Sequence, residues 1–172
     1  MVTRIIFCIK KKNFINIDLK NPHAVKIDAN NNIYIVDTGN NRILRFAKNG
    51  DFKGWIGKKD NGQINDNWQK KGSSIKGSEP GAFNAPCDLV IVDNFMYVSE
   101  VQNNRIVKIS LKGKNYGWIG VNKETNEYMW SKDISNKFEF YHPFGIKIKN
   151  KTIFIADRGN YKIRILYSNN LF

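Results

Sequence analysis

The chain has 172 residues, 41% hydrophobic and 13% aromatic, with a formal net charge of +13. That length and composition fit one folded domain with a sizeable core and exclude a disordered chain. No apolar run approaches the roughly 18 residues of a membrane helix, so no membrane insertion is expected. The short stretch Ile5-Ile6-Phe7-Cys8-Ile9 has its lysines, Lys10 to Lys12, on the wrong side for an export signal, and the sequence sets no compartment.

In chain order, the first predicted elements are two strands at 3–7 and 14–17. A full unit of four short strands follows at 24–28, 33–37, 42–47 and 52–56. Its connectors, Ala29-Asn30-Asn31-Asn32 and Lys48-Asn49-Gly50-Asp51, are turn chemistry, because Asn, Asp and Gly tolerate left-handed backbone angles. A second unit takes 87–92, 95–99, 105–110 and 116–119. A third takes 145–149, 152–156 and 162–167. Nothing in a unit has helical period over a useful length, so the expectation is an all-β chain of antiparallel meanders.

The units are copies. Asp37-Thr38-Gly39-Asn40-Asn41-Arg42-Ile43 returns as Glu100-Val101-Gln102-Asn103-Asn104-Arg105-Ile106 and as Asp157-Arg158-Gly159-Asn160-Tyr161-Lys162-Ile163. Pro22, Pro86 and Pro143 open them, and Gly54-Trp55-Ile56-Gly57 returns as Gly117-Trp118-Ile119-Gly120. Thr3-Arg4-Ile5-Ile6-Phe7 matches the third strand of the first unit. A repeat at this period means that each unit needs its neighbours to bury a face. The predicted division is one domain over 1–172: a partial blade at 1–20, a blade at 21–57, an insert at 58–84, a blade at 85–120, an insert at 121–141 and an incomplete blade at 142–172.

Four-stranded units repeated radially are the blades of a β-propeller. The pattern from Pro22 through Phe46, with Ile33-Tyr34-Ile35-Val36-Asp37 followed by Gly39-Asn40-Asn41-Arg42-Ile43, resembles the NHL repeat, in a bacterial-type variety with long inserts between blades. The second unit departs from it at Glu100 and Gln102, the third at Tyr161 and Lys162. The resemblance implies a ring of about six blades. About three blades do not close a ring, so the reading is a partial or split propeller: a fragment of a larger one, an open arc, or a homodimer that completes six blades.

The repeated acids and bases, Asp37 with Arg42, Glu100 with Arg105 and Asp157 with Lys162, bracket tight turns. They are expected to tie those turns down rather than to ring a metal, because calcium wants six to eight oxygens. His23 and His142 sit on opposite sides of their prolines, which does not reproduce the histidine-bound metal of the amidating lyases that resemble this family. Cys8 and Cys87 have no metal-ligand spacing and are expected as small buried side chains. No catalytic group, cofactor or metal site is therefore expected. Trp55 and Trp118 are expected between blades. The inserts supply the candidate ligand contacts, Trp68, Lys70, Lys71, Trp130 and Lys132, since tryptophan beside lysine can stack on a sugar or a base.

The leading reading is a non-enzymatic binding or scaffold module that holds a protein or glycan on its rim. The alternative is nucleic-acid binding, which the resemblance permits because some NHL propellers bind RNA on a positive face. Lysine supplies 22 of the 28 bases and asparagine numbers 24, a mixture that AT-rich coding also produces. Residues 144–172 carry six bases against one acid, yet no run is both basic and aromatic. A third reading is a metal-dependent lyase or hydrolase of propeller type.

Overall fold

The computed structural model describes residues 3–4, 17–64, 66–121, 128–131 and 140–167, and these build antiparallel sheets in series. Strands β1 (Thr3–Arg4) and β2 (Asp18–Leu19) pair with each other. The first blade is β3 (Pro22–Ile27), β4 (Ile33–Asp37), β5 (Arg42–Phe46) and β6 (Phe52–Ile56), paired in that order. Two short strands of the first insert, β7 (Lys58–Lys59) and β8 (Ser74–Ile75), pair separately. The second blade is β9 (Pro86–Val92), β10 (Phe95–Glu100), β11 (Arg105–Ser110), β12 (Asn115–Val121) and β13 (Tyr128–Ser131). The third is β14 (Pro143–Lys149), β15 (Thr152–Asp157) and β16 (Lys162–Tyr167).

The partial blade pairs Thr3–Arg4 with Asp18–Leu19, whereas the expected strand at 14–17 lies, apart from Ile17, outside the described residues. The inserts contain strands. The outer edge of a fourth strand has unpaired amides and carbonyls, and each insert uses them. Strand β13 adds to β12 with Trp118 opposite Ser131 and Ile119 opposite Trp130. In the first blade Trp55 and Gln69 exchange both backbone hydrogen bonds at 2.8 Å. Trp68 and Trp130 therefore hold equivalent places.

The core lies between blades. Tyr34, Val36, Ile43 and Ile56 of the first blade meet Leu89, Met96, Val98, Val107 and Ile109 of the second. Tyr97, Ile106 and Ile119 on the opposite face of the second blade meet Ile146, Ile148, Ile153, Ile155 and Leu166 of the third. Strands β4 and β10 are consequently buried on both faces, and their sequences are apolar with little alternation. Trp55 packs with Leu19, Ile35, Leu44 and Phe46 on the far side of the first blade.

Successive blades are also stapled by their backbones. Asn41 and Asn104 adopt left-handed angles, φ 52° in both. Their side-chain carbonyls accept the N–H of Ala85 at 2.9 Å and of His142 at 2.8 Å. Ala85, His142 and Asn21, each directly before a blade-opening proline, have positive φ as well. A non-glycine residue pays strain for that conformation, so the surrounding bonds must hold it.

Candidate functional site

The repeated acid is the hub of each turn between second and third strands. Asp37, Glu100 and Asp157 are fully buried. Each accepts a backbone N–H from the segment leading into its own blade, from Lys20, Asn84 and Tyr141, all at 2.8 Å. Each also accepts a side-chain N–H from the asparagine three residues on, Asn40, Asn103 or Asn160. A guanidinium completes each set. Arg42 Nε donates to Asp37 at 2.7 Å, and Arg105 Nε donates to Glu100.

In the third blade the base is not Lys162, which is exposed. Arg164 Nε donates to Asp157 at 2.9 Å. Arg164 stands seven residues after the acid, where Leu44 and Val107 stand in the other blades, and its longer side chain reaches across. Gly39 and Gly159 let the turn approach the backbone closely: an added Cβ would come within 2.7 Å of the Lys20 oxygen and 2.6 Å of the Tyr141 oxygen. Gln102 fills the equivalent position in the second blade, whose turn lacks the 3-10 geometry of the other two.

Burial raises the Asp157 carboxyl, but hydrogen bonds from Asn160, the Tyr141 N–H and Arg164 outweigh it and hold the group below its ordinary 3.8. Asp28 behaves alike: burial raises it, while bonds from the Asn32 side chain and backbone, Tyr34 and Asn30 bring it below 3.8. Groups lowered in the folded state contribute stability that is present above the unfolded value and is lost as pH falls through the folded one. We expect the melting temperature to drop as pH goes from about 5 to about 3 and to be flatter in Asp28→Asn. Thermal melts in a constant-ionic-strength buffer series check this. An equal slope in both proteins would remove Asp28 from the account.

The first strands of the three blades converge on a cleft of about 650 Å³ lined by Pro22, His23, Lys26, Cys87, Asp88 and Phe144, among others. His23 Nδ1 lies 3.1 Å from Cys87 Sγ. Burial, helped by the neighbouring Asp88 charge, pushes the thiol up to about 12. The thiol therefore stays protonated near neutral pH and shares a hydrogen bond with the ring nitrogen. This pair is not an activated nucleophile. Lys26 Nζ reaches Asp88 at 3.0 Å and binds first blade to second.

The insert tryptophans each lie against an aromatic ring of the blade and beside a cation. Trp68 is half-buried, with its ring 5.9 Å from Tyr34 and its indole N–H donated to the Leu111 carbonyl at 3.0 Å. Arg45 sits 5.7 Å over both rings. In the next blade Lys108 occupies the same place, 4.5 Å over Phe95, 5.6 Å over Tyr97 and 5.4 Å over Trp130. Burial lowers its pKa. Both rings are engaged on a neighbour and a cation and remain partly exposed. Lys70 and Lys71 are exposed, and Lys132 lies outside the described residues. Sequence reasoning missed these cages. The equal offset of Tyr34 from Arg45 and of Tyr97 from Lys108 was the available signal.

Blades stacked face to face, with first strands gathered at one side and inserts at the other, define a propeller-type repeat protein. Residues 19–46 match the family model described as the NHL repeat. NHL repeat-containing protein 2 of Bos taurus is 33% identical over 94 residues, which is 54% of this chain and 12% of that protein. An auxiliary nutrient binding protein of Bacteroides thetaiotaomicron superposes with a TM-score of 0.59 at 18% identity, over 88% of this chain and 40% of that one. A candidate phosphatase of the same bacterium gives 0.58 at 15% identity, over 84% and 34%. The chain thus spans well under two thirds of each of these relatives, and the two structures share its fold alone.

Proposed function

We propose that this chain is a non-enzymatic binding module that holds a protein or glycan on the rim formed by its first insert and the adjacent turn. The supporting observation is the order of that insert. Its backbone is fixed by the β7–β8 pair, by Lys59 N–H to the Gln63 oxygen at 2.8 Å and by Asp60 N–H to the Ser73 oxygen at 3.2 Å. Ser74 Oγ bonds to the Asn40 carbonyl and ties it to the turn. Its far end is held by the second blade, where Asn103 and Arg105 donate to the Gly77, Ser78 and Ala82 carbonyls. Asp60, Asn61, Gln63, Lys70 and Lys71 remain exposed on this fixed frame. A surface ordered before binding loses less entropy when a ligand arrives.

The test is an array of immobilised oligosaccharides probed with the chain and with a Lys70→Glu/Lys71→Glu variant, beside anisotropy of a labelled single-stranded RNA. The expected result is a saccharide signal that the double variant weakens by about tenfold or more at unchanged melting temperature. RNA binding alone, falling with salt at a slope of about −0.7 per phosphate contact, would replace this reading with the nucleic-acid one.

A further inference from the structure

Lys108 stands on β11 directly across from Tyr97 of β10. Its Nζ lies 4.5 Å from the centre of the Phe95 ring, 5.4 Å from that of Trp130 and 5.6 Å from that of Tyr97. An ammonium carries three N–H donors. Among the described residues no carboxylate, carbonyl or hydroxyl accepts from any of them, and burial is what acts on the group. The cation of the first blade is treated differently, since Arg45 Nη1 donates to the Leu111 carbonyl at 3.3 Å. Other half-buried lysines also have acids: Lys26 meets Asp88 at 3.0 Å and Lys58 meets Glu79 at 2.6 Å. Three rings around a cation without hydrogen bonds suit a methylated ammonium better than a plain one. A desolvated N–H without an acceptor carries the cost of its lost water, whereas an N–CH3 does not. The charge is kept, so the attraction to the ring faces is kept with it.

We propose that Lys108 is a methylation site, and that Phe95, Tyr97 and Trp130 are the cage that holds its methylated ammonium. The methyl donor is a sulfonium compound. The neutral amine attacks the methyl carbon with its lone pair, and the carbon–sulfur bonding pair leaves on sulfur, which becomes a thioether. The new ammonium releases a proton to solvent before a further transfer. Burial favours this step, because it disfavours the charged amine and so enlarges the share with a free lone pair. Lys108 is only partly buried, which leaves it open to a transferring enzyme.

The experiment reads every lysine of the full chain, purified from the cells that make it, by tandem mass spectrometry. Methyl groups concentrated on Lys108 support the proposal. An unmodified Lys108, or one methylated no more than the exposed Lys70 and Lys71, overturns it. The fit of the cage is measured separately, in a chain carrying Cys8→Ser, Cys87→Ala and Lys108→Cys. Its single thiol is alkylated to give a side chain ending in either a trimethylammonium or a plain ammonium. The trimethyl form should melt higher by about 2 °C or more, and Trp130→Ala in the same background should abolish most of that difference. A trimethyl form that melts no higher, or a difference that survives Trp130→Ala, overturns the assignment of the cage.

Discussion

Glu100→Ala should destabilise the chain by about 3–5 kcal/mol, measured by urea unfolding. The carboxylate is fully buried and accepts from Arg105, Asn103 and the Asn84 backbone. Removing it strands the Arg105 guanidinium, itself only 4% exposed, in a place built for an ion pair. The cost is that of an uncompensated buried charge, not the net worth of the pair. The double variant Glu100→Leu/Arg105→Leu should therefore recover a large part of the loss. If the single and double variants are equally unstable, packing rather than charge explains the effect.

Trp118→Ala should cost about 3–5 kcal/mol by the same measurement, the range for a large side chain removed from a core. Trp118 is 1% exposed and lies 4.5 Å from the Arg105 guanidinium. Trp68→Ala should cost roughly half as much, because its ring is only half-buried and loses one hydrogen bond with its contacts. Trp118→Ala and Glu100→Ala should not add, since both act on Arg105. Additivity within about 0.5 kcal/mol would show that the two contacts are independent.

Much of the fold was legible because blades repeat. Asn-rich turns and the recurring acid-to-isoleucine heptapeptide located the strands of the units from Pro22 to Tyr167. Strand addition by the inserts was hidden for a physical reason. An added outer strand is held by backbone groups, which every residue carries, and one fixed tryptophan does not announce it. The exchange of Lys162 for Arg164 was hidden too, because a long side chain crosses two positions without altering the spacing of the motif. At the site, the sequence marked the exposed lysines of the first insert. It did not show the cations that lie over the tryptophans, because an aromatic next to a base reads the same whether the base lies beyond it or over it.

The cages of Arg45 and Lys108 bear on how such a chain can grow by duplication. A copy of the four strands alone would carry a cation and a tyrosine into the space between blades with no indole to cover them. The copied piece must run on to Trp68 or Trp130, so the heritable module is a blade together with its following insert. The residues of the insert beyond that tryptophan are released from this requirement. Variation between copies is therefore expected to collect there, where a ligand-facing surface can diverge without disturbing the stack.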